Sequence, residues 1–165
     1  MRLQICLRCI SLHLMIKIEF PKIKPAVKCV GNDEKIFCIV RKKWLQITPE
    51  EWVRQNFLLY LVYVKGYPQA LLSIEKKLQV GEMIKRYDVV VFGTDLTPKI
   101  AIECKEMNVV LNKSAVMQLI HYNSELQAPY LLITNGSTTY GFRKVKNNFE
   151  EIMEVPSWVL LMGLT

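Results

Sequence analysis

The stretch Tyr87–Glu106 reads YDVVVFGTDLTPKIAIECKE, and it predicts the element around which the rest of the chain folds. Two apolar runs rich in β-branched residues flank the spacer GTDLTP, a pattern typical of a β-hairpin with a slightly long loop. Alternate residues of a strand share a face, so Glu103 and Lys105 point one way and Cys104 points the other. Folding the two runs together brings Asp88 near Glu103.

This charged cluster has two interpretations. A Glu-x-Lys pair on an exposed sheet face is usually a solvated ion pair that contributes little. Here, however, the cluster interrupts strongly apolar strands, and two carboxylates with one ammonium at a strand end form a candidate Mg²⁺ site. Because two nearby carboxylates repel each other, neutralising Asp88 or Glu103 is expected to leave stability unchanged or slightly raised.

Composition places the chain among ordinary globular domains. Its 165 residues suit one domain, and the hydrophobic content of 51% argues against disorder. No apolar run reaches the roughly 18 to 20 residues that would span a bilayer, so no membrane partner is expected. Five cysteines, an odd number, indicate a reducing compartment, which predicts a cytoplasmic protein of undetermined oligomeric state.

The basic charge is concentrated at the N-terminus. Residues 1–43 hold ten Lys/Arg against three Asp/Glu, whereas residues 44–165 hold twelve of each. We therefore divide the chain into a basic N-terminal extension, 1–43, and a main domain, 44–165. The excess suits an anionic polymer or simply solubility. Residues 1–14 match neither a signal peptide nor the later pattern, so a true start at Met15 is expected.

Short alternating pieces near the N-terminus predict a small hairpin with Lys35–Val40 as its second strand. The basic run Arg41–Lys43 that follows either contacts phosphates or is solvated. The next segment is a strong helix start, with Thr48 as N-cap, Pro49 at the first position and Glu51 closing a capping box. That helix is expected to run to Gly66.

The remaining pattern predicts a mixed sheet with helices packed on it, an α/β (α+β) fold. After the hairpin, a helix carries Gln118 and Tyr122 on one face, because they lie four residues apart. The residues from 147 onward are expected to form a short helix and an apolar tail. The predicted elements outside the central hairpin are strand Leu71–Val80, helix Ala115–Gln127, strand Tyr130–Thr134 and strand Thr138–Val145.

With these elements in order, the chain resembles the PD-(D/E)XK nuclease superfamily. Within it, the chain is most similar to the N-terminal nuclease domain of type I restriction enzyme R proteins, in a small stand-alone form. The resemblance runs from about Trp44 to Phe142 and rests on TPEEWVRQNFLLYL, IEKKLQVGEMIKRYDVVVF, IAIECK, QLIHY and YLLITNG. It implies a restriction-endonuclease-like sheet.

The resemblance also implies roles for particular residues. Asp88 and Glu103 match the two metal-binding acids, and Lys105 matches the lysine of the (D/E)-x-K triplet. Gln118 and Tyr122 match a Q-x-x-x-Y element that would position the DNA backbone or the lysine. The further residues implied are Glu51, or less favourably Glu50, as a supporting metal ligand, the Cys104 carbonyl as another, and Lys85 and Arg86 as nucleic-acid contacts. One departure is Tyr87, which stands where the superfamily often has proline.

The function implied is a Mg²⁺- or Mn²⁺-dependent DNA endonuclease domain, with DNA and restriction-modification or repair proteins as partners. A second hypothesis is a nuclease-fold module that binds nucleic acid or a protein partner without cutting. Action on RNA is a third alternative that the sequence leaves open.

Overall fold

The computed structural model describes residues 12–80 and 83–163, except for the side chains at positions 76, 78–80, 83 and 85. Six strands form one mixed sheet in the order β4-β5-β6-β7-β8-β9, and three shorter strands form a separate antiparallel sheet. The predicted α+β class is confirmed. The elements are β1 Val27–Val30, β2 Asp33–Cys38, β3 Lys43–Gln46, α1 Pro49–Tyr63, β4 Leu72–Val80, β5 Met83–Phe92, β6 Pro98–Cys104, α2 Lys113–Leu126, β7 Tyr130–Thr134, β8 Thr139–Val145, β9 Asn148–Ile152 and α3 Trp158–Met162, with a 3₁₀ turn at Gln69–Leu71.

The central hairpin forms as the sequence predicts. Strands β5 and β6 pair antiparallel with Val89 opposite Ile102, and the register shifts only near the turn, beyond Val91. One step from the Val89–Ile102 pair, the same register brings Asp88 to the level of Glu103. The acid of one strand therefore reaches the charged end of the other.

Strands β6 and β7 form the parallel pair of the large sheet, and α2 provides the crossover between them. Cys104 lies opposite Thr134 at the end of this pair. The ladder continues one residue further, because the Lys105 amide donates to the Thr134 carbonyl at 2.8 Å. The carboxyl ends of both strands consequently meet at one edge of the sheet, beside Lys105.

Both faces of the hairpin are buried. Helix α1 packs on the face that carries Ile100, Ile102 and Cys104, whereas α2 packs on the opposite face, which carries Ala101. Burial on both faces explains the nearly continuous apolar runs, since a strand covered on one side alone would alternate with polar residues. The charged residues at the strand end are thus the exception on an otherwise apolar element.

Two strands differ from the sequence-based expectation. The segment after Val145 forms β9, which pairs with β8, where we expected a helix and tail; a short helix, α3, does follow. The N-terminal hairpin gains a third strand, β3, at its edge. Both strands are short and largely polar, so packing against a neighbour defines them better than their own pattern does. Among the described helices, none has the length and apolarity needed to cross a membrane.

The N-terminal segment contacts the large sheet. Ile16 is 3% exposed within the core on the α1 face, and its amide donates to the Thr139 carbonyl at 2.8 Å. The amides of His13 and Leu14 donate to the Glu151 carboxylate at 3.1 and 3.2 Å. The expected start at Met15 would leave out residues 1–14, of which residues 1–11 lie outside the described part. Residues 12–16 are held by the sheet.

We expect Ile16→Ala to lower the free energy of unfolding by about 2–5 kcal/mol, the range for truncating a buried aliphatic side chain. The neighbouring Met15 is 60% exposed, so Met15→Ala is the matched control and should change stability by less than about 0.5 kcal/mol. Urea denaturation of both variants measures the difference. Equal stabilities would show that this segment contributes nothing to the core.

Candidate functional site

Asp88 is the buried centre of the candidate site. Its side chain is 11% exposed, and each carboxylate oxygen accepts a hydrogen bond from a different element. Oδ2 accepts from the Cys104 amide of β6 at 2.6 Å, and Oδ1 accepts from Nη2 of Arg54 on α1 at 2.8 Å. A carboxylate buried in this way needs such partners, because an uncompensated buried charge is strongly unfavourable. Asp88 is therefore fixed to both the partner strand and the first helix.

Glu103 and Lys105 form an ion pair on the partner strand. Nζ of Lys105 lies 2.7 Å from Oε1 of Glu103, and their side chains are 30% and 26% exposed, respectively. Burial and the charge of Asp88 raise the pKa of Glu103, although Lys105 opposes this. Burial would lower the pKa of Lys105, but the hydrogen bond to Glu103 and the charges of Glu103 and Asp88 outweigh burial and raise the pKa. The two predicted acids and the predicted lysine are thus brought together.

Arg54 is the main residue of the site that the sequence reading missed. It is 4% exposed and contacts three carboxylates: Asp88 at 2.8 Å, Glu50 at 2.8 Å and Glu51 in a closer pair. Burial disfavours its charge, yet the charges of Asp88 and Glu51 raise the pKa of Arg54 further. The signal in the sequence was its spacing of three and four residues from Glu51 and Glu50, which places all three on one helix face.

Glu51 has a different structural role from the one predicted. Its amide donates to Oγ1 of Thr48 at 3.0 Å, so the N-cap is confirmed. Its carboxylate, however, accepts from Gln55 at 2.7 Å and from Arg54, where we expected it to return to the Thr48 amide and close a capping box. The buried arginine is a better partner for a buried charge than a backbone amide near solvent. Arg54 therefore stands between Glu51 and Asp88.

A second set of ion pairs extends the site along β4. Arg41 pairs with Glu75 and lies 3.6 Å from Glu51, so it belongs to this network and is not part of a solvated basic run. Burial would raise the pKa of Glu75, but the Arg41 charge outweighs it and lowers the pKa. Arg86, which the resemblance assigns to nucleic acid, lies 3.3 Å from Glu75 and is 56% exposed. The side chain of Lys85 lies outside the described part.

Helix α2 presents the predicted pair Gln118 and Tyr122. Nε2 of Gln118 donates to the Tyr122 hydroxyl at 2.5 Å, and Gln118 is exposed. Tyr87 of β5 lies in the core on the α2 face, and its buried hydroxyl has no hydrogen-bond partner among the described residues. Burial and the charge of Glu103 raise the pKa of Tyr87, and Tyr122 adds to that effect. The pair on α2 therefore borders the Glu103 side of the site.

The donor set suits a hard divalent ion. Asp88 and Glu103 supply carboxylate oxygens from adjacent strands, and the Cys104 carbonyl directly follows Glu103 in the chain. Glu103 is partly exposed and within reach of a hydrated ion. Asp88 would either share its Oδ1 between Arg54 and the ion or release Arg54 to bind the ion. Among the described residues, no three His, Cys, Asp or Glu side chains gather closely enough to form a ready metal group. The role of Glu51 as a direct ligand therefore stays a prediction.

The fold and this arrangement define a restriction-endonuclease-like domain of the PD-(D/E)XK type. Residues 49–156 match the family described as Type I restriction enzyme R protein N terminus (HSDR_N). Since the match covers more than half of the chain, the protein belongs to that family. No curated protein matches the chain.

Two solved structures align with the chain. A fragment of a protein assigned as the HsdR subunit of a type I restriction enzyme from Vibrio vulnificus YJ016 aligns with a TM-score of 0.52 and 16% identity. That alignment covers 69% of this chain and 24% of the other, so the chain spans about a quarter of that structure. A DUF820 protein from Anabaena variabilis ATCC 29413, assigned as a nuclease, aligns with a TM-score of 0.46 and 14% identity over 88% of both chains.

Carboxylate repulsion alone predicts that neutralising Asp88 leaves stability unchanged or raises it. The contacts of Asp88 predict the opposite, a loss of stability. Arg54→Met leaves buried carboxylates unpaired, so we expect it to lower the free energy of unfolding by about 3–5 kcal/mol. Asp88→Asn should also destabilise, because it removes the anionic partner of Arg54. The double variant should lose less than the sum, with a coupling of about 0.5–3 kcal/mol in urea denaturation.

Arg86→Met is the control for that cycle, since Arg86 is mostly exposed and should contribute at most about 1 kcal/mol. Additive losses from Arg54→Met and Asp88→Asn would mean that the two side chains are not energetically linked.

Proposed function

We propose that the chain is a Mg²⁺-dependent DNA endonuclease domain that hydrolyses phosphodiester bonds. The observation that carries this proposal is the bond from the Cys104 amide to Asp88, which fixes the first acid beside the strand that presents Glu103 and Lys105. Family membership supports the same function.

Asp88 and Glu103 would hold Mg²⁺, or Mn²⁺, with the Cys104 carbonyl as a further oxygen donor and Glu51 as a supporting acid. When bound, the ion would supply positive charge to the phosphate and lower the pKa of the attacking water. The hairpin holds the two acids on neighbouring strands, at the same level of the register.

Lys105 would act on the water and the phosphate. Its ammonium is placed by the hydrogen bond to Glu103, and a group fixed in this way needs little reorganisation as negative charge develops. The fixed ammonium would orient the water and donate to a phosphate oxygen. Gln118 and Tyr122 would position the DNA backbone, with Arg86 and Lys85 as further phosphate contacts.

DNA in the cytoplasm is the proposed substrate, and restriction-modification or repair proteins are the proposed partners.

A module that binds nucleic acid without cutting it is the second candidate. It is favoured by one observation: both oxygens of Asp88 are already bonded, to Arg54 and to the Cys104 amide. If the ion binds too weakly to share Oδ1 of Asp88 with Arg54, the charged cluster would have a structural role and no role in cleavage. Binding of Mn²⁺ separates the two candidates.

We expect the purified protein to cut plasmid DNA with Mg²⁺ or Mn²⁺ and not with chelator. Lys105→Ala should lower the cleavage rate by at least about 100-fold, the scale for removing one charge-stabilising donor, while Mn²⁺ binding in calorimetry is retained or tightened. The rise in affinity would come from removing a cation beside the ion.

Lys99→Ala is the matched control, because Lys99 lies on the same strand and pairs with Asp95 at the hairpin turn. It should cut at the parental rate. Glu103→Gln should weaken Mn²⁺ binding and abolish cleavage together. Unaltered Mn²⁺ binding by Glu103→Gln and Asp88→Asn would remove the metal site from the hairpin, and with it the nuclease proposal.

A further inference from the structure

We propose that the groove beside the catalytic hairpin holds one unstacked nucleobase of the bound strand. The groove lies between α1 and the carboxyl ends of β6 and β7, with a volume of about 210 Å³. This inference rests on the proposed function and adds a base-binding subsite to it. Its lining residues are Phe20, Lys24, Trp52, Val53, Asn56 and Met107, with Gly136 at one wall.

The groove and the site lie at the same edge of the sheet. Met107 follows Lys105 by two residues, and Gly136 follows the end of β7 by two. Where parallel strands are joined by a helix, the crevice outside their carboxyl ends is the usual place for a ligand. The chain that follows Lys105 therefore leads to the groove at Met107.

Helix α1 serves both places with different faces. Glu51 and Arg54 turn toward Asp88, whereas Trp52 and Asn56, four residues apart on a neighbouring face, line the groove. The Asn56 side chain donates to the Trp52 carbonyl at 2.8 Å, which holds the amide at the groove wall. The geometry of the catalytic acids and that of the groove are thus set by one rigid element.

The lining suits a planar ring with polar edges. Trp52 and Phe20 offer aromatic surface, Met107 a polarisable thioether, and Asn56 an amide that can bond the edge of a base. Flipped bases are held in this way, by stacking between aromatic or apolar side chains and by hydrogen bonds to their edges. Lys24 is exposed at the rim and supplies positive charge for the adjoining phosphate.

Gly136 keeps the groove open. Its φ of +87° is a conformation that favours glycine, and a Cβ at this position would lie 3.3 Å from Cγ2 of Val53. The same Cβ would lie 3.9 Å from Cγ of Met107. A side chain there would occupy the space between these two lining residues, where the base is proposed to enter.

The test measures binding of short single-stranded DNA in chelator, so that no cleavage occurs. A series of oligonucleotides, each with one abasic position, is titrated by fluorescence anisotropy against the parent and Trp52→Ala. The parent should lose about 5- to 150-fold in affinity at one abasic position, as expected for losing one stacked base. Trp52→Ala should bind the intact strand with an affinity that is lower than the parent's by a similar factor. Its affinity should not fall further when that position is abasic.

Trp44→Ala is the matched control, since Trp44 is 38% exposed, contacts Phe37 in a tilted ring arrangement in the small sheet and does not line the groove. It should keep the parental abasic profile. Trp52→Leu retains bulk without a ring and replaces Trp52→Ala if that variant melts early. Lys24→Ala should weaken binding and reduce the salt dependence of binding. Lys22 is also exposed, and Lys22→Ala should have a smaller effect on both quantities.

The outcomes separate the two proposals. If the parent cuts DNA but shows the same abasic profile as the Trp52 variants, the groove holds no base and this inference alone is overturned. If the parent neither binds nor cuts DNA, the proposed function fails first and the groove proposal fails with it. The inference is supported if one abasic position lowers the affinity of the parent and of Trp44→Ala but does not lower the affinity of the Trp52 variants.

Discussion

One buried carboxylate ties the structure together. Asp88 accepts the Cys104 amide from the neighbouring strand and the Arg54 guanidinium from α1, so one side chain joins the hairpin to the helix on its face. Leaving either oxygen unpaired in this position would be strongly unfavourable. The helix can therefore pack on the hairpin in few orientations. The apolar core of that face contributes most of the burial, but it is the Asp88 contacts that select its alignment.

The same constraint shapes the electrostatics of the site. Glu103 is paired with Lys105, whereas Asp88 and Glu51 share Arg54. A divalent ion that binds Asp88 would compete with Arg54 for Oδ1, because like charges close together in a poorly solvated site repel. The guanidinium is held by two further carboxylates and can stay on the helix while Asp88 changes partner. Metal affinity would then depend on a helix residue that never touches the ion.

The sequence predicted the elements that have strong local signals. The hairpin around Asp88 and the start of α1 at Thr48 followed from alternation and capping, and both are confirmed. The ion pairs of Arg54 and Arg41 were not predictable in the same way, because their partners Asp88 and Glu75 are distant in the chain and meet only after the helix and sheets have packed. Strands β3 and β9 were missed for a related reason, since tertiary pairing defines them.

The proposed reaction site and the proposed base-binding groove lie at one edge of the sheet, and this arrangement affects how a bound strand would be oriented. Since β6 and β7 are parallel, their carboxyl ends adjoin, and the loops that follow them supply Met107 and Gly136 to the groove while Lys105 stays in the site. Helix α1 lines the groove with Trp52 and Asn56 and holds Asp88 through Arg54. A base drawn into the groove would therefore pull its phosphate toward a site whose position is already fixed by Asp88 and Arg54. Because the groove and the Arg54 partner of Asp88 lie on one helix, holding the base would help to align the scissile bond, and binding energy would be converted into orientation.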